Sequence, residues 1–260
     1  MSAPDPCAEI VRRHDPDRFL TALFAPAGRR PLLFVLYAFN HELARARESV
    51  SAPMLALIRL QWWREVVDGA QRRHEVSGPL AEAIASGALD RAALHAMLDA
   101  REAEADEAIE TRQAFSAYAA GGAGSLAVAT AHALGAEDPE AFRGCGAAYG
   151  VAGVLRSVPA LARQGRCLLP ADVLAAHGLT PEQVVAAPDG PAVGAVLHDL
   201  AQDGLAWLRQ IPAAPGAAVA AGLPAVLARR DLRRPGRAAG PRSLADKLAV
   251  VAAGLRGVLT

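Results

Sequence analysis

Between Gln113 and Ala136 no side chain is an acid, a lysine or an arginine, and this run constrains the fold more than any other segment. A helix that is apolar on every side has to be surrounded, by other helices or by lipid. A membrane span needs about 20 strongly apolar residues. This run is only weakly apolar. Gly121, Gly122 and Gly124 lie close together, Ser125, Thr130 and His132 are polar, and alanine is frequent. The expectation is a buried core helix ending at Gly135, with a membrane span as the alternative.

The rest of the chain reads as helix too. Hydrophobic residues make up 52% and charged residues 21% of 260, a globular balance. Alanine dominates while β-branched and aromatic residues are sparse, which favours helix over strand. Short helices are expected over Cys7–Arg13 and Asp17–Phe24, with Asp15-Pro16-Asp17 as break and cap. Longer ones follow from Arg30-Pro31 to Glu48 and from Ser51-Ala52-Pro53 to Arg72. Gly78-Pro79 opens a short helix to Ser86, and Asp90 caps one that continues past Asp106. Pro139 starts a helix that passes Arg156 and is kinked by Pro159. Ala171–His177 ends at Gly178, and Thr180-Pro181-Glu182-Gln183 is a helix start signal. Helices near Gly190–Gln210, Ala214–Ala228 and Ser243–Leu259 complete the chain. No βαβ alternation and no fixed-period repeat appear. The expectation is one all-α domain over residues 1–260, with 1–14 as an N-terminal extension and 229–242 as a basic loop before the last helix.

Acidic and basic residues balance at 27 each, so there is no global pull toward nucleic acid. Lys247 is the sole lysine. The arginines at 229, 230, 233, 234, 237 and 242 form a run interrupted by proline and glycine. It reads as a solvated loop, with contact to anionic lipid or an acidic partner as the functional alternative. Cys7, Cys145 and Cys167 are far apart and show no zinc spacing, and an odd, sparse count suits a reducing compartment. Met1–Pro6 lacks the basic and apolar regions of a signal peptide, which points to a cytoplasmic protein.

Two segments carry a resemblance. Leu36-Tyr37-Ala38-Phe39-Asn40-His41-Glu42-Leu43-Ala44-Arg45-Ala46-Arg47-Glu48 resembles the first aspartate-rich helix of squalene and phytoene synthases. Gly146-Ala147-Ala148-Tyr149-Gly150-Val151-Ala152-Gly153-Val154-Leu155-Arg156-Ser157-Val158-Pro159-Ala160-Leu161, followed by Gly165-Arg166-Cys167-Leu168-Leu169-Pro170, resembles the second. Between them Leu60-Gln61-Trp62-Trp63-Arg64, the acidic stretch around Asp99, Glu102 and Glu104, and Ser116–Ser125 match further family segments in order. The resemblance implies the family's all-α isoprenoid-synthase fold around a central cavity.

It also implies what this chain lacks. In the active family two acidic helices face each other and hold Mg²⁺, a hard ion that bridges carboxylates to substrate phosphates. Residues four apart share a helix face, so positions 44 and 48, and 153, 157 and 161, are expected to point together into the cavity. They carry Ala44, Glu48, Gly153, Ser157 and Leu161, and Arg45 takes the place of an aspartate. No catalytic residue and no metal ligand is therefore assigned, and Mg²⁺ is expected only if some synthase activity survives, with Glu42, Asp99, Glu102 or Glu104 standing in. His41, Arg45, Arg156, Arg166, Asp99 and Glu102 are candidates for the cavity wall or for holding an anion. Arg156 and Arg166 would meet a phosphate, or else pair with Asp99, Glu102 or Glu48.

One branch of the family lacks both aspartate motifs and includes an assembly factor of respiratory complex I. Ala38-Phe39-Asn40-His41-Glu42-Leu43-Ala44, Ser49-Val50-Ser51 and Leu155-Arg156-Ser157-Val158-Pro159 resemble its pattern. That resemblance implies a non-catalytic bacterial helper of complex I assembly. Its partner would be a complex I subunit or assembly intermediate, at the inner face of the plasma membrane. Two alternatives stay open: a residual prenyl transferase acting on isoprenoid diphosphates, and a protein binding lipid or isoprenoid in the emptied cavity.

Overall fold

A computed structural model describes residues 5–48, 53–102, 109–212, 216–236 and 240–259, with the Glu48 side chain outside that set. Glu104, Arg237 and the Ser49-Val50-Ser51 segment lie outside the described residues. Every regular element among those described is helical. In chain order they are α1 (Pro6–His14), α2 (Pro16–Ala22), α3 (Arg30–Glu48), α4 (Pro53–Val67), α5 (Ser77–Ala85) and α6 (Arg91–Glu102). Then come α7 (Arg112–Ala119), a π turn over Ala120–Gly124, and α8 (Ser125–Ala133). A 3₁₀ turn at Pro139–Phe142 leads into α9 (Arg143–Ala162), α10 (Ala171–Ala176), α11 (Pro181–Ala186) and α12 (Pro191–Trp207). Last are α13 (Val219–Gly222), α14 (Pro224–Leu232) and α15 (Leu244–Arg256).

Local signals set most of these boundaries. Asp5 caps α1 by accepting from the Cys7 amide at 2.9 Å, and Asp15 caps α2 through the Arg18 amide at 3.0 Å. Thr180 and Gln183 close a capping box on α11, and Ser243 and Asp246 close one on α15. Most ends shift by three residues or fewer, and two differ more. The helix from Pro53 ends at Val67 rather than Arg72, because Gly69 adopts φ 110°, a backbone setting that only glycine enters at little cost. The helix expected over Ala214–Ala228 is broken at Leu223, where Pro224 begins a fresh helix that runs to Leu232. The basic run thus starts as helix rather than loop at Arg229 and Arg230.

The core falls into two neighbouring apolar clusters. One gathers Leu33, Leu36, Phe39, Leu60, Leu94, Met97 and Leu126; the other gathers Phe115, Val151, Leu155, Leu169, Val196, Leu200, Leu227 and Val250. The uncharged run of residues 113–136 spans both, with α7 in the second cluster and α8 in the first. α8 is buried at every position but His132. One stretch among the described residues, Pro139–Ala162, is long and apolar enough to cross a membrane, but most of it is buried inside the protein. All three cysteines are free and buried, and burial pushes the Cys7 and Cys145 thiols up to about 12.

Candidate functional site

α9 packs along the π turn through its smallest residues. A methyl group on Gly150 would sit 3.0 Å from the Ala123 Cβ, and one on Gly146 only 2.0 Å from the Ala123 carbonyl oxygen. Beyond this close approach the helices diverge and leave a cavity of about 230 Å³. α9 lines it with Gly150, Gly153, Val154, Ser157 and Leu161, so the second-motif positions do share the cavity face. Opposite stand Tyr118, Ala119, Gly122 and Ala123, with Arg18, Asn40, Arg101, Tyr149, Arg166 and Leu168 completing the wall.

The first motif meets this cavity differently from expectation. α3 contributes Asn40, one turn before Ala44, and Ala44 is not among the lining residues. Arg45 faces a separate groove with Glu42, Arg59, Trp62, Trp63 and His74, and its guanidinium lies 3.5 Å from Glu42. The correction follows from helix geometry: each step turns about 100°, so Arg45 cannot share the direction of Asn40. His41 lies outside the cavity as well. Its ring stacks on His14 at 4.4 Å, and its buried Nε2 finds no hydrogen-bond partner among the described residues. Burial, then the neighbouring His14, pushes its pKa down, so the ring stays neutral near pH 7.

The expected acid–arginine pairs are also rearranged. Asp99 and Glu102 on α6 both accept from one nitrogen of Arg64, at 2.7 and 2.6 Å. They tie α6 to α4 and do not reach Arg156. Arg156 turns away from the cavity, since it is about 100° round the helix from Ser157. It bonds Asp231 at 3.4 Å and the Gly240 carbonyl at 3.3 Å. Arg166 does reach the cavity wall, after Gly165 reverses the chain at φ 71°.

Arg18, Arg101, Tyr118 and Tyr149 line the cavity without having been assigned a role in the sequence. Tyr118 and Tyr149 lay in matched family segments, and Arg101 beside Asp99 and Glu102, so these three carried a signal. Arg18 bonds Asp15 at 2.7 Å and lies 4.9 Å from the centre of the Tyr149 ring, a cation–π contact. Tyr149 donates to Asp17 Oδ2 at 2.9 Å, and Arg242 donates to the same oxygen at 2.8 Å. Arg242 also grips both oxygens of Asp231 at 2.8 Å. Burial works against the Arg242 charge, but Asp17 and Asp231 outweigh it and hold the guanidinium more firmly protonated. Burial, then Asp15 and Asp17, push the Tyr149 hydroxyl up, so it stays a donor.

These side chains are a poor match for magnesium. The polar groups described in the wall are three guanidiniums, two phenols, one amide and one hydroxyl. Mg²⁺ seeks an octahedron of oxygens and usually one or two carboxylates. Among the described residues no three His, Cys, Asp or Glu side chains gather as a metal site. The second-motif position Gly153 is not sterically closed: a methyl there would touch nothing within 4 Å. Gly153→Ala should therefore stabilise the protein by about 0.5–1 kcal/mol through helix propensity alone. Thermal unfolding would show this as a rise of a few degrees.

A family model for squalene/phytoene synthase matches residues 11–246. The chain belongs to the squalene/phytoene synthase family. Its fold agrees with that membership. A crystal structure of a dehydrosqualene synthase in complex with ligand superposes with TM-score 0.74 at 17% identity, covering 96% of this chain and 94% of that one. The squalene synthase HpnC from Alicyclobacillus acidocaldarius gives TM-score 0.62 at 18% identity, covering 96% and 92%. Sequence similarity is higher to a different set of family relatives. NADH dehydrogenase (ubiquinone) complex I, assembly factor 6 of Bos taurus is 31% identical over 203 residues, 75% of this chain and 61% of the relative. The Homo sapiens protein is 30% identical over the same shares, and the Drosophila melanogaster homolog 29% over 69% and 58%. This chain thus matches about three-fifths of the length of those relatives.

Proposed function

We propose that this protein is a non-catalytic helper of respiratory complex I assembly. One observation carries the reading: identity to complex I assembly factors reaches 31%, against 17% to a dehydrosqualene synthase of the same fold. The site chemistry supports it. Ionising an allylic diphosphate requires neutralisation of the leaving group, which the family achieves with carboxylate-bound metal. Here Gly153, Ser157 and Leu161 face the cavity where those ligands would stand. The cavity, at about 230 Å³, is also below the roughly 300–1,000 Å³ of ordinary small-molecule sites.

In this reading the old active-site helices serve as a scaffold, and the protein engages a complex I subunit or assembly intermediate through its surface. It works in the cytoplasm, peripherally at the inner face of the plasma membrane. Deleting the gene and resolving solubilised membranes on a native gel tests the proposal. A fall in assembled complex I, restored by the gene in trans, is expected; unchanged complex I level and NADH oxidation would overturn it. Purified protein given farnesyl diphosphate and Mg²⁺ should form no product, and turnover would return the family's chemistry to this chain.

A further inference from the structure

α15 turns a leucine stripe to solvent. Leu244, Leu248 and Leu255 are 72, 56 and 78% exposed, and partly exposed Val251 fills the gap in the row. At about 100° per residue these four positions fall within roughly 60° of arc. They lie opposite the face that Asp246, Val250 and Ala253 bury in the core. Exposed Lys247 flanks the stripe on one side and exposed Arg256 on the other. α14 packs beside α15, pinned by Arg230 to Asp246 at 2.6 Å and by Arg229 to the Leu259 carbonyl at 2.9 Å. Just past the end of α14, Arg233 and Arg234 are exposed around a notch that also holds Arg230, Asp231 and Asp246, and Asp246 lies on the side of α15 away from the stripe.

The acids near this face are already used. Asp246 is buried and bonded to Arg230 and Ser243, and Asp231 is held by Arg242 and Arg156. What remains outward is apolar side chains framed by cations. We propose that the α15 leucine stripe, with Lys247 and Arg256, is a docking face for an anionic lipid bilayer. The pattern is that of an interfacial helix, with leucines entering the acyl boundary and long basic side chains reaching headgroup phosphates. Charge decides between occupants: a second copy of the chain would set these cations against one another. The inference deepens the proposed membrane-side function by naming the surface that seats the protein.

Vesicle co-sedimentation tests it. The full chain should sediment with vesicles of phosphatidylcholine and phosphatidylglycerol in equal parts, and stay in solution with phosphatidylcholine alone. Raising the salt should weaken binding. Each basic side chain at an anionic surface is worth about a fivefold change in affinity, so Lys247→Glu with Arg256→Glu should cost about 30-fold or more. Leu244→Gln, Leu248→Gln and Leu255→Gln together should abolish binding while circular dichroism and Tm stay at wild type, since these side chains are solvent-exposed. No sedimentation with anionic vesicles, or binding that ignores both variants, would overturn the proposal. So would a wild-type dimer in sedimentation velocity that the leucine variant dissolves, since the stripe would then belong to a second copy. The result is independent of the deletion experiment: vesicle binding with normal complex I would leave this face standing and remove only the assembly role.

Discussion

Gly146→Ala is expected to destabilise the protein by about 3 kcal/mol or more, the upper end for overpacking a core. The added methyl would lie 2.0 Å from the Ala123 oxygen, 2.7 Å from the Ala123 carbonyl carbon and 2.8 Å from the Ala127 Cβ. Two of these three obstacles are backbone, so no rotamer change relieves the clash and α9 has to move bodily. The opposing segment is the π turn at Ala120–Gly124. Such a turn inserts an extra residue and widens the helix, bringing Ala123 against α9. Helix propensity alone would favour alanine by about 1 kcal/mol, so a loss here isolates the packing term. Gly153→Ala, on the same helix, is the control: identical chemistry, open space, opposite sign. For a chain of 260 residues the difference should approach 10 °C in Tm. A Gly146→Ala protein that melts with wild type would mean the two helices are not held this closely.

That contrast also shows what the sequence could reveal. Gly146 opens the segment that resembles the second motif, but only the facing backbone explains why it is glycine. Helix starts were legible because caps are local: Asp15, Thr180 and Ser243 each accept from the amide three residues on. The second-motif face was legible for the same reason, since 153, 157 and 161 lie on one helix and share a side. Pairings between helices were not. Nothing within α6 says that Asp99 and Glu102 will meet Arg64, and nothing near Arg156 points to Asp231, 75 residues on. The first motif misled because likeness in sequence fixes a helix but not which of its turns reaches the cavity: Asn40 lines it, while Ala44, one turn on along the same face, and Arg45 do not. The basic run misled through composition. Arginines among proline and glycine read as solvated loop, whereas Arg229 and Arg230 are helical and Arg242 is 8% exposed.

Arg242→Ala should therefore cost about 3–5 kcal/mol, the usual loss when one partner of a buried ion pair is removed. The Asp17 and Asp231 side chains are only 15 and 10% exposed. Among the described residues Asp17 would keep the Tyr149 hydroxyl, and Asp231 the longer bond from Arg156 at 3.4 Å. Most of the loss is the desolvation of carboxylates left without a cation, not the lost attraction itself. Two further variants follow from that distinction. Arg156→Ala should cost less, about 1–2 kcal/mol, because both Asp231 oxygens keep their contact with Arg242 Nη1. Adding Asp231→Asn to Arg242→Ala should recover part of the stability by removing one stranded charge, a coupling that urea denaturation of the three proteins would measure. The effect should reach the cavity too, because Tyr149 lines its wall and orients on Asp17. If Arg242→Ala instead unfolds at the wild-type urea midpoint, the network is no more than a surface contact. The arginine run would then be the solvated loop that its composition suggests.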